Sequence, residues 1–124
     1  MDSKMTQEDK DLLLKDLCAR LPYGTMVYAQ NAVDWYESEI CTQVLSDVIN
    51  EDYIVKPYLF PLSSMTKEQK EEYCGLQEKV IYNSKGPINS DVMEYVNWCY
   101  KNHFDINNLI PMELATDATD LNIY

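Results

Sequence analysis

The side chains with the most obvious capacity for chemistry are one histidine and four cysteines. His103-Phe104-Asp105 places a carboxylate two residues after the imidazole. Such a neighbour can tune the protonation of a histidine near neutral pH. The same histidine follows a predicted helix, where its side chain could cap carbonyl groups and interact with the helix dipole. A functional and a structural interpretation of His103 are therefore both open.

The cysteines are scattered, and none stands at ligand spacing from His103; they are Cys18, Cys41, Cys74 and Cys99. Zinc sites usually draw on several His or Cys ligands, so we predict no metal and no cofactor. We expect free, buried thiols, as is common in a reducing compartment. The sequence also contains no glycine-rich phosphate-binding motif and no G-x-S-x-G motif. We therefore assign no catalytic residue.

The most distinctive local segment is aromatic and proline-containing, Tyr58-Leu59-Phe60-Pro61-Leu62. Exposed apolar surface rimmed by polar groups often marks a site of protein contact. The alternative is a segment that crosses the molecule and holds the sheet to the helices. The binding residues predicted from the sequence are Tyr58, Phe60, His103, Phe104 and Asp105.

The chain is strongly acidic, with 21 Asp and Glu against 10 Lys and Arg and a net charge of -11. Such a field repels phosphate backbones and anionic membrane surfaces, so we expect no direct binding to nucleic acid or membrane. The acidic surface either keeps the protein soluble or faces a basic partner. The opening residues show no secretory pattern, and no apolar run approaches a membrane span, which predicts a cytoplasmic protein.

Helical patterns occur at three places in the chain. The first helix is predicted from about residue 7 to 20, because leucines recur there at helical spacing behind a Thr6–Asp9 capping box. A surface helix is expected to begin after Thr66, and Gly75 weakens or ends it. The last long helix is capped by Asn89 or Ser90 and ends near Asn102.

Three short strands are predicted over 25–30, 35–45 and 53–55. The segment 56–62 is excluded as a central strand because its two prolines lack ladder donors. The predicted fold is α+β, with a small antiparallel sheet of about three strands packed against an N-terminal helix and C-terminal helices. One domain spans 1–124. We expect loose order in the first few residues and in 115–124, although Tyr124 and its neighbours could dock.

Three stretches carry a resemblance to a known family. They are Asp11 to Gly24 (DLLLKDLCARLPYG), Val55 to Thr66 (VKPYLFPLSSMT), and Trp98 with His103-Phe104-Asp105 and Leu109-Ile110. In this order they resemble a family of short proteins of unknown function from gut bacteria and their phages or prophages. The resemblance implies a cytoplasmic protein associated with a phage or mobile element. It supplies no catalytic residues.

The function predicted from these observations is that of a small acidic, non-enzymatic interaction or regulatory protein with an unidentified protein partner. Two other interpretations stay open. One is an acidic mimic of nucleic acid that inhibits a host nucleic-acid-binding protein. The other is a small enzyme that uses His103 and Asp105. The sequence does not determine an oligomeric state.

Overall fold

A computed structural model describes residues 6–50, 53–82 and 90–124. The helices and strands of these residues are, in chain order, α1 (Gln7–Arg20), β1 (Met26–Gln30), β2 (Trp35–Glu39), α2 (Thr42–Ile49), β3 (Ile54–Leu59), α3 (Lys67–Tyr82), α4 (Ser90–Lys101) and β4 (Thr116–Asp117). This content confirms the predicted α+β class. The predicted bounds of the first helix are also confirmed, and Thr6 and Asp9 form the expected capping box.

The strands of the described residues form one sheet in the order β2-β1-β3-β4. Strand β1 pairs antiparallel with both β2 and β3, whereas β3 pairs parallel with β4. The prediction of a purely antiparallel sheet of about three strands is therefore wrong, because Thr116–Asp117 adds a fourth strand in parallel. A strand of two residues is too short to show an alternating pattern in the sequence.

Strand β3 lies between β1 and β4 although it contains Pro57, so the exclusion of 56–62 from a central strand is wrong for 56–59. Successive residues of a strand direct their backbone groups to opposite edges. Leu59 faces β4, since its carbonyl accepts a hydrogen bond from the Ala118 N–H at 2.8 Å. The Pro57 nitrogen, two residues earlier, faces the same edge, where pairing with β4 begins only at Tyr58. The missing N–H therefore interrupts no ladder.

The prediction of one strand over 35–45 is wrong beyond Glu39. Helix α2 begins at Thr42 and turns Val44 and Val48 toward the core. Val44 fits two patterns. It continues the alternation of the preceding strand, and it stands four residues before Val48, as on one face of a helix. Such short segments cannot be assigned to strand or helix from periodicity alone.

Helix α3 begins as predicted, with a reciprocal capping box between Thr66 and Gln69. It does not end at Gly75 but continues to Tyr82. No heavy atom of the surrounding structure lies within 4 Å of a Cβ built on Gly75. This glycine therefore weakens the helix without serving a close contact.

Replacing Gly75 with Ala should raise the free energy of unfolding by about 0.5–1 kcal/mol, because alanine is the better helix former and has room here. Urea unfolding measures the change. Gly24→Ala is the matched opposite case, since Gly24 has φ +66° and a side chain in that conformation costs about 1–2 kcal/mol. Equal effects of the two substitutions would contradict this difference in backbone conformation.

The core lies on one face of the sheet, beneath α1 and α2. Its fully buried members include Leu13, Leu17, Val27, Ala29, Val44, Val48, Val55, Leu59 and Leu109. The opposite side is here named the outer face. Register and alternation place on it Trp35, Glu37 and Glu39 of β2, Met26, Tyr28 and Gln30 of β1, and Ile54, Lys56 and Tyr58 of β3. Trp35 is 59% exposed, so this side stays open to solvent at β2.

Candidate interaction site

The C-terminal end of α4 places His103 through its backbone. The His103 N–H donates to the Tyr100 carbonyl at 3.0 Å, and the Phe104 N–H donates to the Cys99 carbonyl at 2.9 Å. These two bonds form a Schellman motif, with His103 in the left-handed region at φ 63°. The helix end is thus capped by the main chain at 103–104, and the imidazole makes other contacts.

The imidazole contacts Thr25, the residue before β1, and Tyr124. Its Nδ1 lies 3.0 Å from the Thr25 hydroxyl oxygen, and its ring stacks on Tyr124 with the centroids 3.8 Å apart. Burial, together with the positive charge of Arg20, lowers the pKa of His103 to about 4. The helix dipole would favour the protonated ring, so burial outweighs it and the ring is neutral at pH 7.

Asp105 is engaged elsewhere. Its two carboxylate oxygens accept hydrogen bonds from the Leu109 and Ile110 N–H groups, each at 2.8 Å. The side chain is buried and closes the turn that follows it. The shift of the His103 pKa therefore arises from burial and from Arg20, not from the carboxylate two residues along the chain.

The depressed pKa of His103 makes stability depend on pH. The unfolded chain takes up this proton near pH 6.5, whereas the folded chain does so near pH 4. The contribution is complete above pH 6.5 and should be lost as the pH falls to 4. His103→Asn keeps a residue that tolerates the left-handed backbone. The stability difference between wild type and this variant, measured by urea unfolding, should therefore change across this window.

A constant difference across those pH values would contradict a half-buried, neutral imidazole. The chemical shift of the His103 ring protons supplies a second measurement on the wild-type protein. It should stay flat through pH 6.5 and change only near pH 4.

Seven aromatic rings, here named the aromatic row, link the two last helices to the sheet. Neighbouring centroids lie 3.8 to 6.4 Å apart. In order, the rings are those of Tyr95, Tyr73, Trp98, Phe104, Phe60, Tyr124 and His103. Offset and edge contacts of this kind stabilise a fold beyond the area that they bury.

The structure brings the five sequence-predicted binding residues together around Phe60. Phe60 pairs with the chain at 103–105, because its N–H donates to the His103 carbonyl and its carbonyl accepts from the Asp105 N–H. Tyr58, Phe104 and Asp105 are buried, however, and only Phe60 and His103 are half-buried. The aromatic and proline segment therefore joins the sheet to the residues that follow α4, which is the structural interpretation given above.

Tyr124 completes this surface from the end of the segment 115–124. Continuing the β1–β3 register would place Met26 opposite Tyr58. Instead, the Tyr124 hydroxyl lies between them, accepting from the Met26 N–H at 2.9 Å and donating to the Tyr58 carbonyl at 2.7 Å. Tyr124 thus connects β1 and β3 through its hydroxyl group.

A buried ion pair lies beneath this site and was missed by sequence analysis. Arg20 and Asp16 are both fully buried, with Arg20 Nε 2.8 Å from Asp16 Oδ2. Arg20 Nη2 also donates to the Phe104 carbonyl at 2.6 Å, and its guanidinium lies over the Tyr100 ring at 4.7 Å. Charged residues of an amphipathic helix usually lie on its solvent side, and Asp16 departs from that pattern. The four-residue spacing of an Asp and an Arg was the available signal.

The outer face adds exposed residues that sequence analysis did not propose as a site. Trp35 stacks on Tyr28, with the ring centroids 5.9 Å apart. Glu37 lies beside them and accepts a hydrogen bond from the Tyr58 hydroxyl. Burial and this carboxylate raise the pKa of Tyr58 to about 12, which keeps the hydroxyl a donor at pH 7. The aromatic surface thus runs from Trp35 across the sheet to Phe60.

The thiols differ from the sequence expectation in exposure. All four are free, but only Cys99 is buried, and burial raises its pKa to about 11. Within 6–50, 53–82 and 90–124, no three His, Cys, Asp or Glu side chains group closely enough to hold a metal ion. None of the helices in these ranges combines the length and apolar character needed to cross a membrane.

Comparisons of the chain with protein-family models, with curated proteins and with solved structures found no match. The resemblance to proteins of gut bacteria and their phages therefore stays a prediction. Functional inference depends on the surface described above.

Proposed function

We propose that this protein is an interaction module that binds a protein partner through the outer face of its sheet. The observation that carries this proposal is the exposure of Trp35, at 59%, on a sheet whose opposite face packs against the main hydrophobic cluster. Trp and Tyr are enriched among the residues that dominate binding energy at interfaces. A Trp–Tyr pair bordered by carboxylates has the composition of such a centre and rim.

The supporting contacts hold this surface in one conformation. The Tyr58 hydroxyl is fixed by Glu37, and the Tyr124 hydroxyl is fixed by two backbone groups. A rigid surface loses little conformational entropy on binding, which favours affinity. Phe60 and His103, predicted as binding residues from the sequence, border the surface beside Tyr124.

The regulatory role, the phage or mobile-element context and the cytoplasmic location stay predictions from the sequence. The same holds for the nucleic-acid mimic and for the enzyme that uses His103 and Asp105. The contacts of His103 Nδ1 and of both Asp105 oxygens with other groups add no support to the enzymatic interpretation.

The test combines identification of a partner with measurement of its affinity. Proteins retained by the immobilised chain are identified, purified and titrated by calorimetry against wild type and variants. Trp35→Ala should lower the affinity for a partner that binds the outer face by about ten-fold or more, because a central anchor of the interface is lost. Met93→Ala is the control, since this side chain is 54% exposed on α4, away from the sheet.

The pattern of the two variants decides the proposal. Unchanged affinity for Met93→Ala with a loss for Trp35→Ala supports it. Full affinity for Trp35→Ala would place the contact on another surface and overturn the proposal.

A further inference from the structure

At the free edge of β2, some backbone groups are bonded to neighbouring side chains and others are open to another strand. Asn31 N–H donates to the Asp34 carbonyl, and Ile40 N–H donates to the Thr25 carbonyl, so the even-numbered residues of β2 face β1. Trp35, Glu37 and Glu39 therefore direct their backbone groups away from the sheet. The Trp35 N–H donates to Asp34 Oδ1 at 2.8 Å, and the Glu39 carbonyl accepts from the Ser38 hydroxyl at 2.9 Å. The Trp35 carbonyl, both backbone groups of Glu37 and the Glu39 N–H are left for a pairing strand. In the described part of the chain, no strand lies on that side of β2. Such an edge can pair with an extended segment of another chain.

The charged side chains of β2 are all acidic. No Lys or Arg stands between Arg20 and Lys56 in the sequence, whereas six Asp or Glu do. Glu37 and Glu39 are exposed on the outer face of β2 itself, next to Trp35. The edge therefore attracts cationic segments and repels anionic ones.

This charge also disfavours a second copy of the same chain as the occupant. Antiparallel pairing of two β2 edges would bring Glu37 and Glu39 of one copy near the same residues of the other. Like charges on directly opposite residues destabilise a strand pair. A basic segment would face the same carboxylates with opposite charge, and the Trp35 ring can take a cation over its face.

We propose that the partner contributes an extended basic segment, which adds as a strand to the free edge of β2. Alternate Lys or Arg side chains of that segment lie over the outer face, beside Glu37 and Glu39 and against Trp35. Its backbone pairs with the Trp35 carbonyl, with both backbone groups of Glu37 and with the Glu39 N–H. This inference rests on the proposed function and names the chemistry of the partner.

The probe is a synthetic peptide of about ten residues, the upper length of an ordinary strand, in which Lys and Thr alternate. Calorimetry should show that this peptide binds the wild-type chain. The same peptide with Glu in place of Lys should not bind. Glu39→Lys should lower the affinity for the Lys peptide by about ten-fold, because the substitution replaces attraction with repulsion at the edge. Glu78→Lys makes the same charge change on exposed α3 and should leave much of the affinity intact.

Backbone pairing is tested separately from charge by two variants at one position. Glu37→Ala and Glu37→Pro remove the same carboxylate and the same hydrogen bond to Tyr58. Only proline also removes the outward N–H, and it leaves the pairing with β1 intact because that N–H faces away. If the peptide accepts this one hydrogen bond, its affinity for Glu37→Pro should be at least about three-fold lower than its affinity for Glu37→Ala. Thermal melting confirms that both variants are folded.

Three results would overturn this inference. The first is equal weakening by Glu39→Lys and Glu78→Lys, which would indicate attraction to net charge alone. The second is equal affinity of Glu37→Ala and Glu37→Pro, which would exclude strand addition. The third is a concentration-dependent dimer of the wild-type chain that Glu37→Pro dissociates, which would make a second copy the occupant of the edge.

The proposed function has a separate outcome. If an identified partner depends on Trp35 but the Lys peptide does not bind, the interaction module stands and the basic strand is wrong. If no binding depends on Trp35, both fail.

Discussion

Replacing Asp16 with Ala should lower the free energy of unfolding by about 3–5 kcal/mol, because it leaves the charge of Arg20 buried without its counter-ion. Both side chains are 0% exposed, so water cannot replace the carboxylate. The same substitution removes the acceptor that Asn107 Nδ2 contacts at 2.7 Å. Urea unfolding at pH 7 measures the loss.

Asp11→Ala is the matched control, since Asp11 lies on the exposed side of the same helix. Its effect should stay within about 0.5 kcal/mol. The double variant Asp16→Leu with Arg20→Met removes both charges together. It should lower the free energy of unfolding by less than Asp16→Ala alone does. A small effect of Asp16→Ala, similar to that of Asp11→Ala, would show that the pair is accessible to solvent.

Replacing Phe104 with Ala should lower the free energy of unfolding by about 3–5 kcal/mol, the usual range for the loss of a large buried aromatic ring. Phe104 is 1% exposed and lies in the aromatic row between Trp98 and Phe60. Its loss leaves a cavity and separates α4 from the sheet. Thermal or urea unfolding measures the change.

Val33→Ala is the control for this prediction, because Val33 is 93% exposed in the β1–β2 turn. It should change stability by less than about 0.5 kcal/mol. The near-ultraviolet circular dichroism of the aromatic residues should also weaken in Phe104→Ala and stay unchanged in Val33→Ala. An intact aromatic signal in Phe104→Ala would indicate that the row does not depend on its central ring.

The parts of the fold that could be predicted from the sequence are those fixed by local interactions. Helix α1 is an example, since the Thr6–Asp9 capping box and the leucine spacing both lie within fifteen residues of the chain. Strand β4 and the central position of β3 depend on pairing between distant segments. No local pattern at Thr116–Asp117 or Pro57 carries that information.

The candidate site shows the same limit. Phe60 and His103 are binding residues predicted from two separate segments, and the structure pairs them through their backbones. The burial of Tyr58 depends on the packing of side chains far along the chain. The burial of Arg20 was missed because an amphipathic pattern treats every charged residue as solvent-facing. The exposure of Trp35 follows from its place on an edge strand, which is a property of the assembled sheet.

Binding through the outer face and the β2 edge is tested most directly by nuclear magnetic resonance of the isotope-labelled chain titrated with the alternating Lys–Thr peptide. We predict that the largest shifts occur at the backbone amides of Glu37 and Glu39 and at the indole N–H of Trp35, with little change along α3. Shifts concentrated on α3 and α4, with β2 unchanged, would contradict this location of the binding surface.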